Sequence, residues 1–307
     1  TVIPWDKYEE TYTTALNSGE GPDVGYMYNE MFPTYIDAGA VEDMSSYVTD
    51  EDKKEYKYLS NGNMMDGQYG WPLVTGVPFV LYYNEDILNA LGEKAPETWD
   101  DFARICQEAT KDTDGDGKVD QYGFACGMNT SDIGAMQILN AYYYSALWQN
   151  GGQVYNDDLK SVSFADEAGK EAVTWLKGLT SYMNEDFMSL SWSDAFSNVF
   201  GAGKAAFGIT RSSQTDGTTF AETYPNLNWN FVTSLKNKDF GTFGATDCLT
   251  LMSACEDKDL AMDFIKYVTG SEFMTAYHAK CPGAALTESE PYVGDEKMEK
   301  IYTEDKD

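Results

Sequence analysis

Apolar residues recur along this chain with two different periods, and each period predicts a different element. Tyr8, Tyr12, Ala15 and Leu16 fall three or four apart, which predicts a helix. Gly19-Glu20-Gly21-Pro22 stops it before a short strand at Val24 to Tyr28. Thr98 precedes an apolar face of Trp99, Phe102, Ala103, Cys106 and Ala109, with Asp101 at the third helical position, so a capping box should start that helix. Ala168, Ala172, Trp175, Leu176 and Leu179 predict another helix. Leu260, Ala261, Phe264, Ile265 and Val268 predict one more, ended by Gly270. Both stripes are expected to face cores. The runs Val77 to Tyr83 and Ala205 to Thr210 are apolar throughout and short, the pattern of buried strands. Helices alternating with such strands predict α/β layers.

Length and charge narrow the picture. At 307 residues the chain is long enough for two domains. Its 21 Lys and Arg stand against 51 Asp and Glu, a net charge of −30, which excludes an electrostatic grip on nucleic acid or anionic lipid. Aromatics are plentiful, with 22 Tyr and 7 Trp, and rings with a polar tip suit amphipathic ligands as well as cores. The five Cys are irregularly spaced, so free buried thiols are expected rather than a disulfide framework or a zinc site. The single His278 excludes a site built on two imidazoles. No apolar run is long enough to span a bilayer. The chain starts at Thr1 without an export signal, which is therefore expected outside it.

Six landmarks then follow one another in a specific order: Gly19 to Val24, Tyr69-Gly70-Trp71-Pro72, Leu81 to Asp86, Pro96 to Phe102, Trp148-Gln149-Asn150-Gly151-Gly152 and Phe200 to Phe207. In that order the chain resembles the maltose-binding-protein-like extracellular solute-binding proteins, the sugar receptors of ABC importers. The resemblance implies a two-lobed, periplasmic-binding-protein-like α/β fold of class II type, with a hinge of three chain crossings. Lobe one would comprise residues 1–75 and 247–283, and lobe two residues 78–243 and 286–307. The crossings would lie near 75–77, 244–248 and 282–285, where Gly76, Gly244 and Gly283 offer backbone freedom. Set against the family, the chain is expected to lack the first strand and the C-terminal helices. A sugar or oligosaccharide bound between the lobes, a membrane permease as partner, a monomeric state and an extracytoplasmic location, periplasmic or lipid-anchored, are what the resemblance implies. It implies no required cofactor.

Candidate ligand residues come from strand ends, where open α/β sheets collect their ligands. Tyr28, Asn29 and Glu30 combine a ring, an amide and a carboxylate, which together suit the C–H face and the hydroxyls of a sugar. By resemblance Glu30 is a ligand carboxylate, Tyr28 stands in for an aromatic residue that the family places at Met27, and Thr75 and Gly76 face the cleft. Arg211, Ser212 and Ser213 end a strand, and Arg211 suits either a uronic carboxylate or a neighbouring acid. Trp192 is the candidate stacking ring of lobe two, and Asp247 a hydroxyl acceptor or a turn cap. Asp112, Asp114, Asp116, the Lys118 carbonyl and Asp120 match a calcium loop, whose usual Glu at position twelve is Gly123 here. Calcium there would be structural, and a solvated acidic turn is the competing reading.

Other functions stay open at this stage. A receptor for a cationic ligand such as a polyamine fits the negative charge. A glycoside hydrolase would need two suitably spaced carboxylates, which 51 acidic residues supply without pointing to any pair. A calcium-dependent cell-surface module would centre on the Asp112 loop. No nucleophile elbow, phosphate loop or His-based triad is present, so the expectation is a binding protein and not an enzyme.

Overall fold

A computed structural model describes residues 3, 7–19, 21–65, 67–130, 134–156, 161–214, 218–294 and 296–303; Thr1 and Glu20, which figure in the sequence reading, lie outside them. The principal elements are helix α1 (Tyr8–Ser18), strand β1 (Val24–Tyr28), the long strand β2 (Trp71–Asn84), helix α2 (Trp99–Ala109), strand β3 (Tyr122–Ala125) and helix α3 (Glu167–Gly178). Strands β4 (Ala205–Arg211), β5 (Trp229–Val232) and β6 (Gly244–Leu251) follow, then helices α4 (Lys258–Thr269) and α5 (Ser271–His278). Two compact units result: Thr1–Val77 with Gly244–Asp307, and Pro78–Phe243.

In unit 1, β1 runs antiparallel to β6 in a register from Val24 opposite Leu251 to Tyr28 opposite Asp247, and β6 in turn neighbours β2. The two-residue period of a strand sends alternate side chains to opposite faces. Leu249 and Leu251 pack with Ala261, Met262 and Ile265 of α4, whereas Met27, Cys248 and Met252 pack with Tyr8 and Tyr12 of α1. Glycine is required at position 25, because a Cβ there would lie 2.4 Å from the Tyr12 hydroxyl. Gly19 ends α1 at a φ of 73°, a left-handed conformation that glycine adopts without steric penalty.

Unit 2 is built on the second half of β2. That half pairs antiparallel with β4, Phe79 opposite Arg211 through Tyr83 opposite Phe207, and antiparallel with β5. Strand β3 lies parallel to β4. Phe79, Val80, Leu81 and Tyr82 are all buried, which accounts for the unbroken apolar run in the sequence. The capping box forms, with the Asp101 N–H donating to Thr98 Oγ1 and the Thr98 N–H to Asp101 Oδ2. It sets α2 so that Phe102 and Ile105 join Phe124 and Phe207 in one core.

Two expectations need correction. Residues 282–285 do not carry the chain into unit 2, because the segment that follows is held on unit 1: the Lys57 N–H donates to the Leu286 carbonyl and the Glu288 N–H to that of Glu55. The α4 stripe is not all core either. Ala261, Ile265 and Val268 are buried, but Leu260 and Phe264 are 64% and 51% exposed, since the stripe is wider than the face that α4 presents to β6.

Four of the five cysteines are buried free thiols and Cys281 is exposed. Burial pushes the Cys126 thiol up to about 12, with a small opposing contribution from the Tyr142 hydroxyl, and raises Cys106 and Cys248 as well. In native protein at pH 8 a thiol reagent should therefore label one cysteine rapidly, against five in denaturant. Unfolded thiols ionise near about 8.5 while the buried ones stay protonated, so the unfolded state binds fewer protons and stability falls as pH rises above that value. Rapid native labelling of three or more thiols would refute the burial.

Candidate functional site

The end of β1 gathers most of the unit 1 candidates. Alternation along the strand puts Tyr26 and Tyr28 on the same side, and the antiparallel register sets Asp247 directly opposite Tyr28. The Tyr26 hydroxyl donates to Asp247 Oδ2 and the Tyr28 hydroxyl to Glu9 Oε1. Burial, and next to it the Asp247 carboxylate, raises the Tyr26 phenol above its ordinary range. The same two causes, with Glu9 as the carboxylate, raise Tyr28. Both phenols thus remain protonated donors at any physiological pH. Asn29 and Glu30 form the first turn after the strand, where Asn29 Oδ1 lies 4.0 Å from the buried Cys248 sulfur and Glu30 is exposed.

Thr75 is placed differently from its expected role. It is 3% exposed, and its Oγ1 lies 3.0 Å from that of Thr246, with the Asn61 amide donating to Thr246 Oγ1 at 3.2 Å. This trio ties β2 to β6 within unit 1 and leaves the Thr75 hydroxyl no exposed face. Gly76 belongs to β2, and its surroundings lie outside the described residues.

In unit 2, Arg211 ends β4 above two rings. Its guanidinium carbon sits 5.5 Å from the Phe79 ring centre and 6.0 Å from that of Trp192, and those rings meet edge to face at 5.5 Å. Arg211 Nη2 donates to Gln137 Oε1 at 2.8 Å. Trp192 is half-buried and packs against the unit 2 core, so it supports Arg211 as well as offering the remainder of its ring. Ser213 is exposed, but Ser212 is wholly buried and is removed from the set of surface hydroxyls.

The Asp112 loop brings together three of its four expected carboxylates. Carboxylate oxygens of Asp112, Asp114 and Asp116 lie within 4.8 Å of one another. Asp120 is turned away and accepts from the Thr113 N–H and hydroxyl. Backbone donors also fill the loop: Gly117 and Gly115 N–H groups bind the two Asp112 oxygens and hold that carboxyl below its usual range. The Lys118 N–H is engaged with Asp116 Oδ1. Backbone N–H groups thus meet both oxygens of Asp112 and one each of Asp114 and Asp116, and a calcium ion bound to the three carboxylates would take further oxygens from carbonyls or water to reach its six to eight.

Sequence reasoning missed Tyr26, Glu9 and Gln137. Tyr26 was legible, since it shares a strand face with Tyr28. Glu9 and Gln137 carry no local signal, because only the folded chain brings them to Tyr28 and Arg211.

A family model described as bacterial extracellular solute-binding protein matches residues 1–291. A binding protein of Brucella abortus is 25% identical over 282 residues, or 87% of this chain and 63% of the relative. The chain thus spans less than two thirds of that relative's length. Among solved structures, an oligosaccharide periplasmic-binding protein from Synechococcus superposes with a TM-score of 0.76 at 14% identity, covering 98% of this chain and 75% of the other. The GacH receptor of Streptomyces glaucescens, solved unliganded and with acarbose, gives 0.73 at 18% identity, covering 98% and 76%. At these identities the likeness is one of fold.

Proposed function

The chain belongs to the bacterial extracellular solute-binding proteins, and from that premise we propose that it is the receptor of an ABC importer that captures a sugar or oligosaccharide. One observation carries the carbohydrate part: phenols and carboxylates gather at the end of β1, where Tyr26 and Tyr28 lie beside Asp247, Glu9 and Glu30. Phenol rings can cover the C–H face of a pyranose, and carboxylates accept its hydroxyls with charge-assisted bonds. In this reading the protein hands its ligand to a membrane permease, works outside the cytoplasm and turns nothing over.

A thermal-shift series over mono- and oligosaccharides tests the reading, because a ligand that binds only the folded state raises the melting temperature by mass action. Glu30→Ala should weaken the best sugar by roughly 1.5 to 3 kcal/mol, the size of a charged hydrogen bond, with an unchanged melt of the free protein. Wild-type affinity in that variant would remove Glu30 from the site.

A second reading is favoured by one feature of the same cluster. The charged groups that act on the Tyr26 and Tyr28 phenols are carboxylates: Asp247 on the first, Glu9 and Glu30 on the second. A cationic ligand would suit that field, with aromatic faces adding cation–π attraction. Spermidine in the same series decides, since a shift with spermidine and none with any sugar would replace the carbohydrate reading.

Calcium at the Asp112 loop is a separate proposal with its own test. If the ion binds, millimolar calcium should raise the melting temperature above that in EDTA, and Asp114→Ala should abolish the difference. Coincident melts would leave an acidic turn.

A further inference from the structure

At the end of the unit 2 sheet where β2 finishes and β4 and β5 begin lies a concavity of about 450 Å³. Asn84 and Asp86 line it, with Gly201 from the turn before β4 and Tyr224 and Asn226 from the loop before β5. Asn84 is 4% exposed. Its Oδ1 accepts the Asp86 and Ile87 N–H groups at 3.0 and 3.2 Å and so caps the helix Glu85–Leu91. Those two donors fix which side of the amide is oxygen. The Nδ2 group on the other side has no hydrogen-bond partner among the described residues. A buried donor is costly to leave unmet, and the concavity that Asn84 lines has the size of a small-ligand site.

The other groups of the concavity decide what fits it. Among its described lining residues Asp86 is the one that carries a charge. The Asn228 amide donates to both Asp86 oxygens at 3.0 Å, which fixes the carboxylate, and Asp86 remains exposed with further lone pairs to offer. Tyr224 is half-buried. A Cβ at position 201 would lie 2.6 Å from its Cζ, so glycine there lets the ring come against the turn. An organic anion would be repelled by Asp86, and a plain amine would give Asn84 no acceptor. A hydroxyl both accepts and donates, so several hydroxyls on a C–H framework meet the amide, the carboxylate and the ring together. We propose that this concavity is a second ligand site, for a polyhydroxylated molecule of monosaccharide size. Asn84 Nδ2 donates to one hydroxyl, Asp86 accepts from another, and Tyr224 packs on C–H groups. The site belongs to unit 2, whereas the β1 cluster belongs to unit 1, so it does not rest on the reading of that cluster.

The probe is D-glucose, read at the site by the side-chain amide resonances of isotope-labelled protein. The pairs missing from Asn84→Asp and Asn226→Ala identify the two residues. Asn84→Asp keeps the oxygen that caps the helix and removes the amide donor, and a circular dichroism melt checks its folding. Glucose is expected to shift the Asn84 and Asn226 pairs along one saturation curve. In Asn84→Asp the dissociation constant read at Asn226 should rise about fivefold or more, the effect of a lost hydrogen bond. Tyr224→Ala, with a loss of similar size expected at both pairs, keeps the test decisive if the first variant misfolds. Absence of any glucose shift at Asn84 would leave water as the partner of the amide and overturn the proposal. Equal glucose affinity in wild type and both variants would overturn it too. Acetate and N-acetylglycinamide are the remaining arms. A shift at Asn84 with acetate and none with glucose would make this an anion site, and one with N-acetylglycinamide and none with glucose would make the occupant a polypeptide segment. Either result also overturns it.

Discussion

Replacing Glu290 by alanine is expected to destabilise the protein by about 3 to 5 kcal/mol, the range for breaking a buried, hydrogen-bonded pair from one side. Glu290 and His278 are each 4% exposed. The His278 Nδ1 lies 2.5 Å from Glu290 Oε1, and the other carboxylate oxygen accepts the Leu286 N–H at 2.8 Å. Alanine would leave a buried imidazole and a buried backbone donor without these partners together. The same carboxylate ties the end of α5 to the segment after Pro282, so its loss also frees the strip that packs on Lys57 and Glu55. Urea or thermal denaturation measures the effect, and Glu290→Gln should lose less because an amide oxygen still accepts the Leu286 N–H. A loss below about 1 kcal/mol in the alanine variant would show that the pair contributes nothing net.

Replacing Arg211 by alanine should have two effects, which separate its structural and ligand roles. Among the described residues Gln137 Oε1 has Arg211 as its donor, and Gln137 is buried, so the acceptor left behind costs about 1 to 3 kcal/mol. Two aromatic faces lose a cation, adding roughly 0.5 to 1 kcal/mol each at partly exposed positions. Unit 2 should therefore melt lower. If Arg211 also contacts the ligand, affinity for the best sugar in the thermal-shift series should fall by about tenfold or more, since a charged hydrogen bond is worth roughly 1.5 to 3 kcal/mol. Calorimetry on the folded variant reads this second effect. A lower melt with unchanged affinity would confine Arg211 to packing unit 2. Arg211→Lys should not rescue either effect, because an ammonium cannot lie flat on the Phe79 ring and reach Gln137 as well.

Legibility followed the range of the interactions concerned. The Thr98 capping box, the β1 and β4 strands and the α2 face were all readable, because each depends on residues within one or two turns of each other. The Tyr28 to Glu30 cluster was half-readable: the strand end announced it, but its acidic partners Glu9 and Asp247 come from α1 and β6. In the Asp112 loop spacing placed three carboxylates together, but it cannot tell that Asp120 accepts from Thr113 and that backbone N–H groups bind the Asp112 oxygens.

By itself the sequence determined the α/β class, the positions where helices start and stop, the free thiols and the family, because periodicity, caps and ordered landmarks are local properties of the chain. Tertiary structure alone decided that residues 286–303 stay with unit 1, that Thr75 and Ser212 are buried, and that Leu260 and Phe264 are not. In each case the outcome depends on which surface a distant segment covers. A hydrophobic stripe records that a face can be buried; how much of it is buried is settled by the width of the neighbour that meets it.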